Sequence, residues 1–147
     1  MTRAQMITVL YRLAGEPNVE GLTHPFTDVR DGAYYMDAMI WGFNEGIIKG
    51  TSDTTFAPSG VVTRAQTATI LCRFENEPEV KEDHLADFPD KDNVPGYARD
   101  AINWAVANGL LKGVKADNGT FLAAVRNINR AEAATVIYRY LTEYSEG

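Results

Sequence analysis

The chain has 147 residues, enough for one domain or for a few short repeats that share a core. Hydrophobic residues make up 45% and charged residues 23%, an ordinary globular balance that argues against disorder. The formal net charge of −6 argues against a broad nucleic-acid footprint and against a polybasic hold on membranes, so an anionic ligand must be met by local Arg or Lys clusters.

No apolar run is long enough to cross a bilayer, so no membrane insertion is expected. The chain opens on Thr2-Arg3-Ala4-Gln5, in which Thr2 and Gln5 have the spacing of a helix capping box. Met6, Val9, Leu10 and Leu13 then recur at helical spacing, and Arg3, Gln5 and Arg12 interrupt any signal-peptide pattern. The next block begins at Phe26-Thr27-Asp28, continues into an amphipathic helix around Met36 to Asn44, and stops at Gly46-Ile47-Ile48-Lys49-Gly50. A turn-rich loop with Pro58-Ser59-Gly60 leads to Thr63-Arg64-Ala65-Gln66, a second capping box before Ile70, Leu71 and Phe74.

From there the pattern returns. Phe88-Pro89-Asp90 matches Phe26-Thr27-Asp28, a helix around Ala98 to Ala107 matches the earlier one, and Gly109-Leu110-Leu111-Lys112-Gly113 matches the glycine-flanked turn. A loop with Asp117-Asn118-Gly119 precedes Asn129-Arg130-Ala131-Glu132, a third version of the cap, followed by Val136, Ile137, Tyr140 and Leu141. No strand of useful length emerges, so the expected class is all-α, a helical repeat module. The helix from Thr2 to Leu13 has no outer helix before it. Its apolar side is expected to stay exposed, which favours self-association or coverage by the Asn18 to Thr23 linker.

These residues resemble the S-layer homology domain family, whose repeat joins a Phe-x-Asp start, an Ala- and Trp-rich helix, a Gly-Ile-x-x-Gly turn, a Phe-x-Pro loop and a Thr-Arg-Ala-Glu/Gln helix. Residues 26 to 75 match through Phe26, Asp28, Tyr35, Ala38, Gly46, Gly50, Phe56, Pro58 and Thr63 to Gln66; residues 88 to 141 match again, and residues 1 to 14 match only the last helix of a repeat. The segments expected are therefore 1–20, the end of a truncated first repeat with its linker, 21–80, a second repeat, and 81–147, a third, all in one module. The resemblance implies a pseudo-three-fold prism of three central capped helices surrounded by helix–turn–helix lobes. It also implies an extracellular, non-catalytic anchor that binds a pyruvylated secondary cell-wall polysaccharide in grooves between repeats, with a protein–protein assembly module as the alternative. No cofactor is expected. The sequence departs from this pattern in two places: the first repeat lacks its outer helix, and the third has Asn129 for Thr with a loop, Phe121-Leu122-Ala123-Ala124, that lacks the usual Pro.

Arg3, Arg64 and Arg130 each occupy the first helical position, where a cation opposes the helix dipole. Such a placement fits an acidic ligand held by Arg together with free backbone N–H groups, or an internal ion pair to Asp28 or Asp90. Lys49 and Lys112 lie beside Gly50 and Gly113, which allow close backbone approach to a ligand or simply end a helix. Trp41 and Trp104 are sugar-stacking or core aromatics. Cys72 is alone, so it forms no intramolecular disulfide and is read as a small buried apolar residue. Asp87, Asp90, Asp92 and Asn93 lack the Gly and closing Glu of an EF-hand, so no metal site is expected.

Overall fold

The structure is a computed structural model and describes residues 1–144. Its internal contacts divide the chain into two units, Met1–Val62 and Thr63–Gly147. Both obey one plan: a long capped helix comes first, and the outer lobe packed on it is the one that follows in the chain.

In the first unit, α1 (Arg3–Leu13) packs on α2 (Met36–Asn44). The expected capping box is formed, with Gln5 N donating to Thr2 Oγ1 at 3.1 Å and Thr2 N to Gln5 Oε1 at 2.9 Å. A cap of this kind contributes about 1 kcal/mol. No side chain caps α2, so its stability comes from burying Ala38, Met39 and Trp41. Gly42 lets the two helices meet, since a methyl there would lie 2.8 Å from Ile7 Cγ1. This packing corrects the expectation of an exposed first helix. Met6, Ile7 and Leu10 are fully buried, and among its large apolar side chains Leu13 is exposed only at the far end. A following lobe covers α1.

In the second unit, α3 (Arg64–Phe74) carries the Thr63–Gln66 capping box and packs on α4 (Arg99–Ala107). The core includes Leu71, Leu85, Ile102, Trp104, Leu110 and Leu122. Gly46 and Gly109 end α2 and α4 at φ 75° and 70°, the left-handed stop read from the sequence. The last helix, α5 (Arg130–Arg139), continues into a π-helical turn, Tyr140–Tyr144, whose Tyr144 meets the Trp104 ring edge-on at 5.4 Å.

The all-α expectation needs one correction. The loop after Gly113 holds a small antiparallel hairpin, β1 (Val114–Ala116) with β2 (Gly119–Phe121), in the register Val114 to Phe121. Three residues per strand are too few for a visible alternation, although Asp117-Asn118-Gly119 is hairpin chemistry. The fold is therefore mostly helical. No helix among the described residues is long and apolar enough to cross a membrane.

Candidate functional site

The same clip is built twice. Arg3 is buried at the head of α1 and donates through Nε to Phe56 O at 2.7 Å and through Nη2 to Lys49 O. Its guanidinium also lies 5.2 Å from the Phe56 ring centroid. Arg64 heads α3 and donates through Nε to Leu122 O at 2.9 Å and through Nη2 to Lys112 O at 2.6 Å. Each arginine thus ties the glycine-flanked turn to the returning loop. Leu122 occupies the place of Phe56, one residue beyond the phenylalanine that the sequence suggests for that loop.

The loops close on the helix ends as well. Arg3 N donates to Gly60 O at 2.8 Å and Ala4 N to Pro58 O at 3.1 Å, while Arg64 N donates to Arg126 O at 2.9 Å and Ala65 N to Ala124 O at 2.8 Å. The free backbone N–H groups expected beside these two arginines are therefore already engaged, which corrects that part of the sequence reading for α1 and α3. The reason is tertiary: the returning loop reaches the helix terminus before any ligand does. Burial lowers the pKa of both guanidinium groups, opposed by Asp28 at Arg3 and by Glu132 and Asp90 at Arg64, where Arg126 adds to the lowering.

Asp28 and Asp90 make no direct ion pair with these arginines among the described contacts. Asp28 accepts from Phe56 N and Ala57 N, each at 2.8 Å, and Asp90 from Leu122 N and Ala123 N, each at 2.9 Å. Each carboxylate supports the left-handed residue of its loop, Ala57 at φ 56° and Ala123 at φ 52°. Burial opposes the Asp28 charge, but the two N–H bonds and Arg3 outweigh it and hold its pKa below the usual range. A depressed folded-state pKa contributes stability that is present above the unfolded value, about 3.9, and lost as pH falls through the folded value. Asp28→Asn is thus expected to lower stability at pH 7 by about 1 kcal/mol, a figure discounted for solvent screening. The difference from wild type should shrink in urea titrations at pH 2–3; an equal gap at both pH values would mean that the carboxylate charge is irrelevant.

The remaining sequence candidates divide sharply. Lys49 and Lys112 expose their side chains while their carbonyls serve the clips. Trp41 and Trp104 are 6% and 1% exposed, so both rings sit in cores and present no open face to a sugar. Gly50 and Gly113 are the points where turn and loop touch: a methyl on Gly50 would lie 2.5 Å from Thr55 O, and one on Gly113 3.0 Å from Phe88 Cε1. Arg130 is exposed, and among the described residues no backbone acceptor meets its N–H or that of Ala131. Burial raises the Cys72 thiol to about 11, which keeps it protonated and unreactive.

The sequence reading missed Arg126 and misread Glu132. Asn129 caps α5 by accepting from Glu132 N at 2.8 Å, yet the expected box is only half made. The Glu132 carboxylate turns away and binds Arg126 Nη2 at 2.5 Å and Arg64 Nη1 at 3.4 Å. Two cations outbid one neutral backbone N–H for a carboxylate. The acidic residue at this position, where the two other caps have Gln, was the available signal.

Comparison with known proteins follows this geometry. The S-layer homology domain model matches residues 25–68 and 87–134. Over 140 residues the chain is 36% identical to the surface-layer 125 kDa protein of Lysinibacillus sphaericus, covering 95% of this chain and 12% of that protein. It is 28% identical over 145 residues to a cellulosome-anchoring protein of Acetivibrio thermocellus, covering 96% of this chain and 32% of that one. Among solved structures, an undecaheme cytochrome from the S-layer of Carboxydothermus ferrireducens shares the fold, with a TM-score of 0.51 and 18% identity over 98% of this chain and 22% of its own.

Proposed function

Because the chain belongs to the S-layer homology domain family, we propose that it is a non-catalytic, extracellular module that anchors a larger protein by binding an acidic, pyruvylated secondary cell-wall polysaccharide. The observation that carries this reading is the pattern of coverage. Nearly the whole chain matches a small part of a surface-layer protein and of a cellulosome-anchoring protein, two different assemblies that hold the same module in common. What such proteins share is a place at the cell surface. The buried clips support it, because they fix the turns that carry the exposed Lys49 and Lys112, while Arg130 stands exposed at the head of α5, in a chain of net charge −6. In this proposal Arg3 and Arg64 position the turns and offer only the outer edge of each guanidinium to a sugar acid, while Asp28, Asp90, Gly50 and Gly113 shape the loops. The pseudo-three-fold prism and the repeat segments 1–20, 21–80 and 81–147 belong to the same proposal, and small-angle scattering tests them.

The functional test is sedimentation with purified cell walls, before and after chemical removal of the secondary polymer. The chain is expected to co-sediment with intact walls and to stay in solution with stripped ones. Equal binding to both would instead favour the second reading, a protein-binding surface, for which Tyr34 and Tyr97 speak. They occupy matching positions and are 65% and 59% exposed. Failure to bind either wall preparation would sink the anchoring role.

A further inference from the structure

Cys72 stands on α3 where Tyr11 stands on α1, at the same distance from the cap threonine of its helix. Beyond both residues the chain leaves its helix in the same way. Gly15 N and Glu16 N donate to Arg12 O and Tyr11 O at 3.1 and 3.0 Å, and Asn76 N and Glu77 N to Arg73 O and Cys72 O at 3.0 and 2.8 Å. Glu16 and Glu77 are both left-handed, at φ 54° and 53°, and a proline follows each. Pro17 and Pro78 therefore take the same place relative to their helices.

What differs is the side chain beside each proline. In the first unit Tyr11 donates its hydroxyl to Pro17 O at 2.8 Å, and its ring lies 5.5 Å from the Trp41 ring. Cys72 offers no ring, and Trp104, the counterpart of Trp41, is met by Tyr144 instead. A cavity of about 580 Å³ opens beside Cys72, between Thr69 and Ala101 on the two helices, Pro78 and Val80 on the loop, and Tyr97. That volume falls in the range of small-molecule sites, about 300–1,000 Å³. Among the described residues no hydrogen bond reaches Pro78 O, the counterpart of the acceptor that Tyr11 uses.

We propose that this cavity binds a neutral phenol ring, seated over Cys72 with its hydroxyl donated to Pro78 O as that of Tyr11 is to Pro17 O. A space left by a small side chain among larger neighbours takes up a ring that fits it. Tyr97 supplies an aromatic wall, against which a second ring packs offset or edge-on. It is available because Ala98 stands where the first unit has Tyr35, the ring that Tyr34 meets edge-on at 5.4 Å. The charged lining selects the protonated form. Glu77, Glu79 and Asp100 outnumber Arg73 and Lys81, so a phenolate is disfavoured. Burial, with Glu77 and Asp100, likewise keeps the Cys72 thiol protonated, and the contact to the ring is one of packing.

The experiment follows amide shifts of the whole chain by NMR during titration with p-cresol. Saturable shifts are expected at Thr69, Val80 and Ala101, with a Kd of about 1 mM. Toluene, which has the ring without the donor, is expected to bind about fivefold more weakly. Cys72→Tyr supplies the ring from within, so it should abolish p-cresol binding and raise the melting temperature by about 3 °C. Cys72→Ala keeps the cavity and should bind p-cresol like wild type; with toluene it carries the test if Cys72→Tyr does not fold. N-acetyltyrosinamide separates two sources of the ring: binding as tight as that of p-cresol assigns the site to a tyrosine side chain of a partner protein, and binding of p-cresol alone assigns it to free phenols. Absence of saturable shifts at these residues, toluene binding as tightly as p-cresol, or a folded Cys72→Tyr that still binds p-cresol overturns the inference. None of these outcomes bears on wall binding, so the two readings stand or fall separately.

Discussion

Gly50→Ala is expected to destabilise the first unit by about 3 kcal/mol or more, toward the upper end for overpacking, whereas Gly113→Ala costs roughly half as much. The difference lies in what each new methyl meets. At Gly50 it meets the carbonyl oxygens of Ser52 and Thr55, along with Phe26 Cε1. Those two oxygens are backbone, and Thr55 O receives Thr51 N at 2.8 Å, so neither can retreat without breaking the turn. At Gly113 the closest atom is Thr120 Cγ2, the end of an exposed side chain that can rotate away. The loss at Gly50 should extend to function, because the same turn carries the Lys49 carbonyl that Arg3 holds. Urea denaturation of both variants checks the order; equal stabilities would mean that the turn is loose enough to absorb a methyl.

The second large effect is expected at Arg64. Replacing it by Ala removes donors from two carbonyls, at Leu122 and Lys112, and from Glu132. Hydrogen bonds from charged groups contribute about 1.5–3 kcal/mol each, and a buried acceptor left alone adds to the loss, so a fall of about 3 kcal/mol is expected. Arg64→Lys should recover little of it, since one ammonium cannot follow the fork that reaches both carbonyls. Arg130→Ala, at the same helical position on α5 but exposed, should change stability by less than about 0.5 kcal/mol. Thermal melts of the three variants give the ranking directly. An Arg64→Ala melting curve that overlays wild type would show that the clip contributes nothing to the fold. Loss of wall binding in this variant is therefore interpretable only beside its melting curve.

The local half of this protein was determined by its sequence. Thr2 with Gln5 and Thr63 with Gln66 announce helix starts because cap and amide lie three residues apart and bond within one turn. Gly46 and Gly109 announce the stops because a left-handed residue is cheap only for glycine. The repeated order of these signals was enough to identify the family. What only the tertiary structure decided is which distant partner each side chain takes. Arg3 and Arg64 sit at positions that read as ligand contacts or as ion pairs to Asp28 and Asp90, and the returning loops bring Phe56 O and Leu122 O against them from more than fifty residues away. Asp28 and Asp90 read as partners for those arginines, yet they bind loop N–H groups, because a left-handed Ala57 or Ala123 turns two amides toward one carboxylate. Glu132 satisfies the cap pattern as written but abandons it for Arg126 and Arg64. A sequence shows which bonds a residue is able to make nearby, and only the folded chain reveals the stronger competitor that arrives from elsewhere.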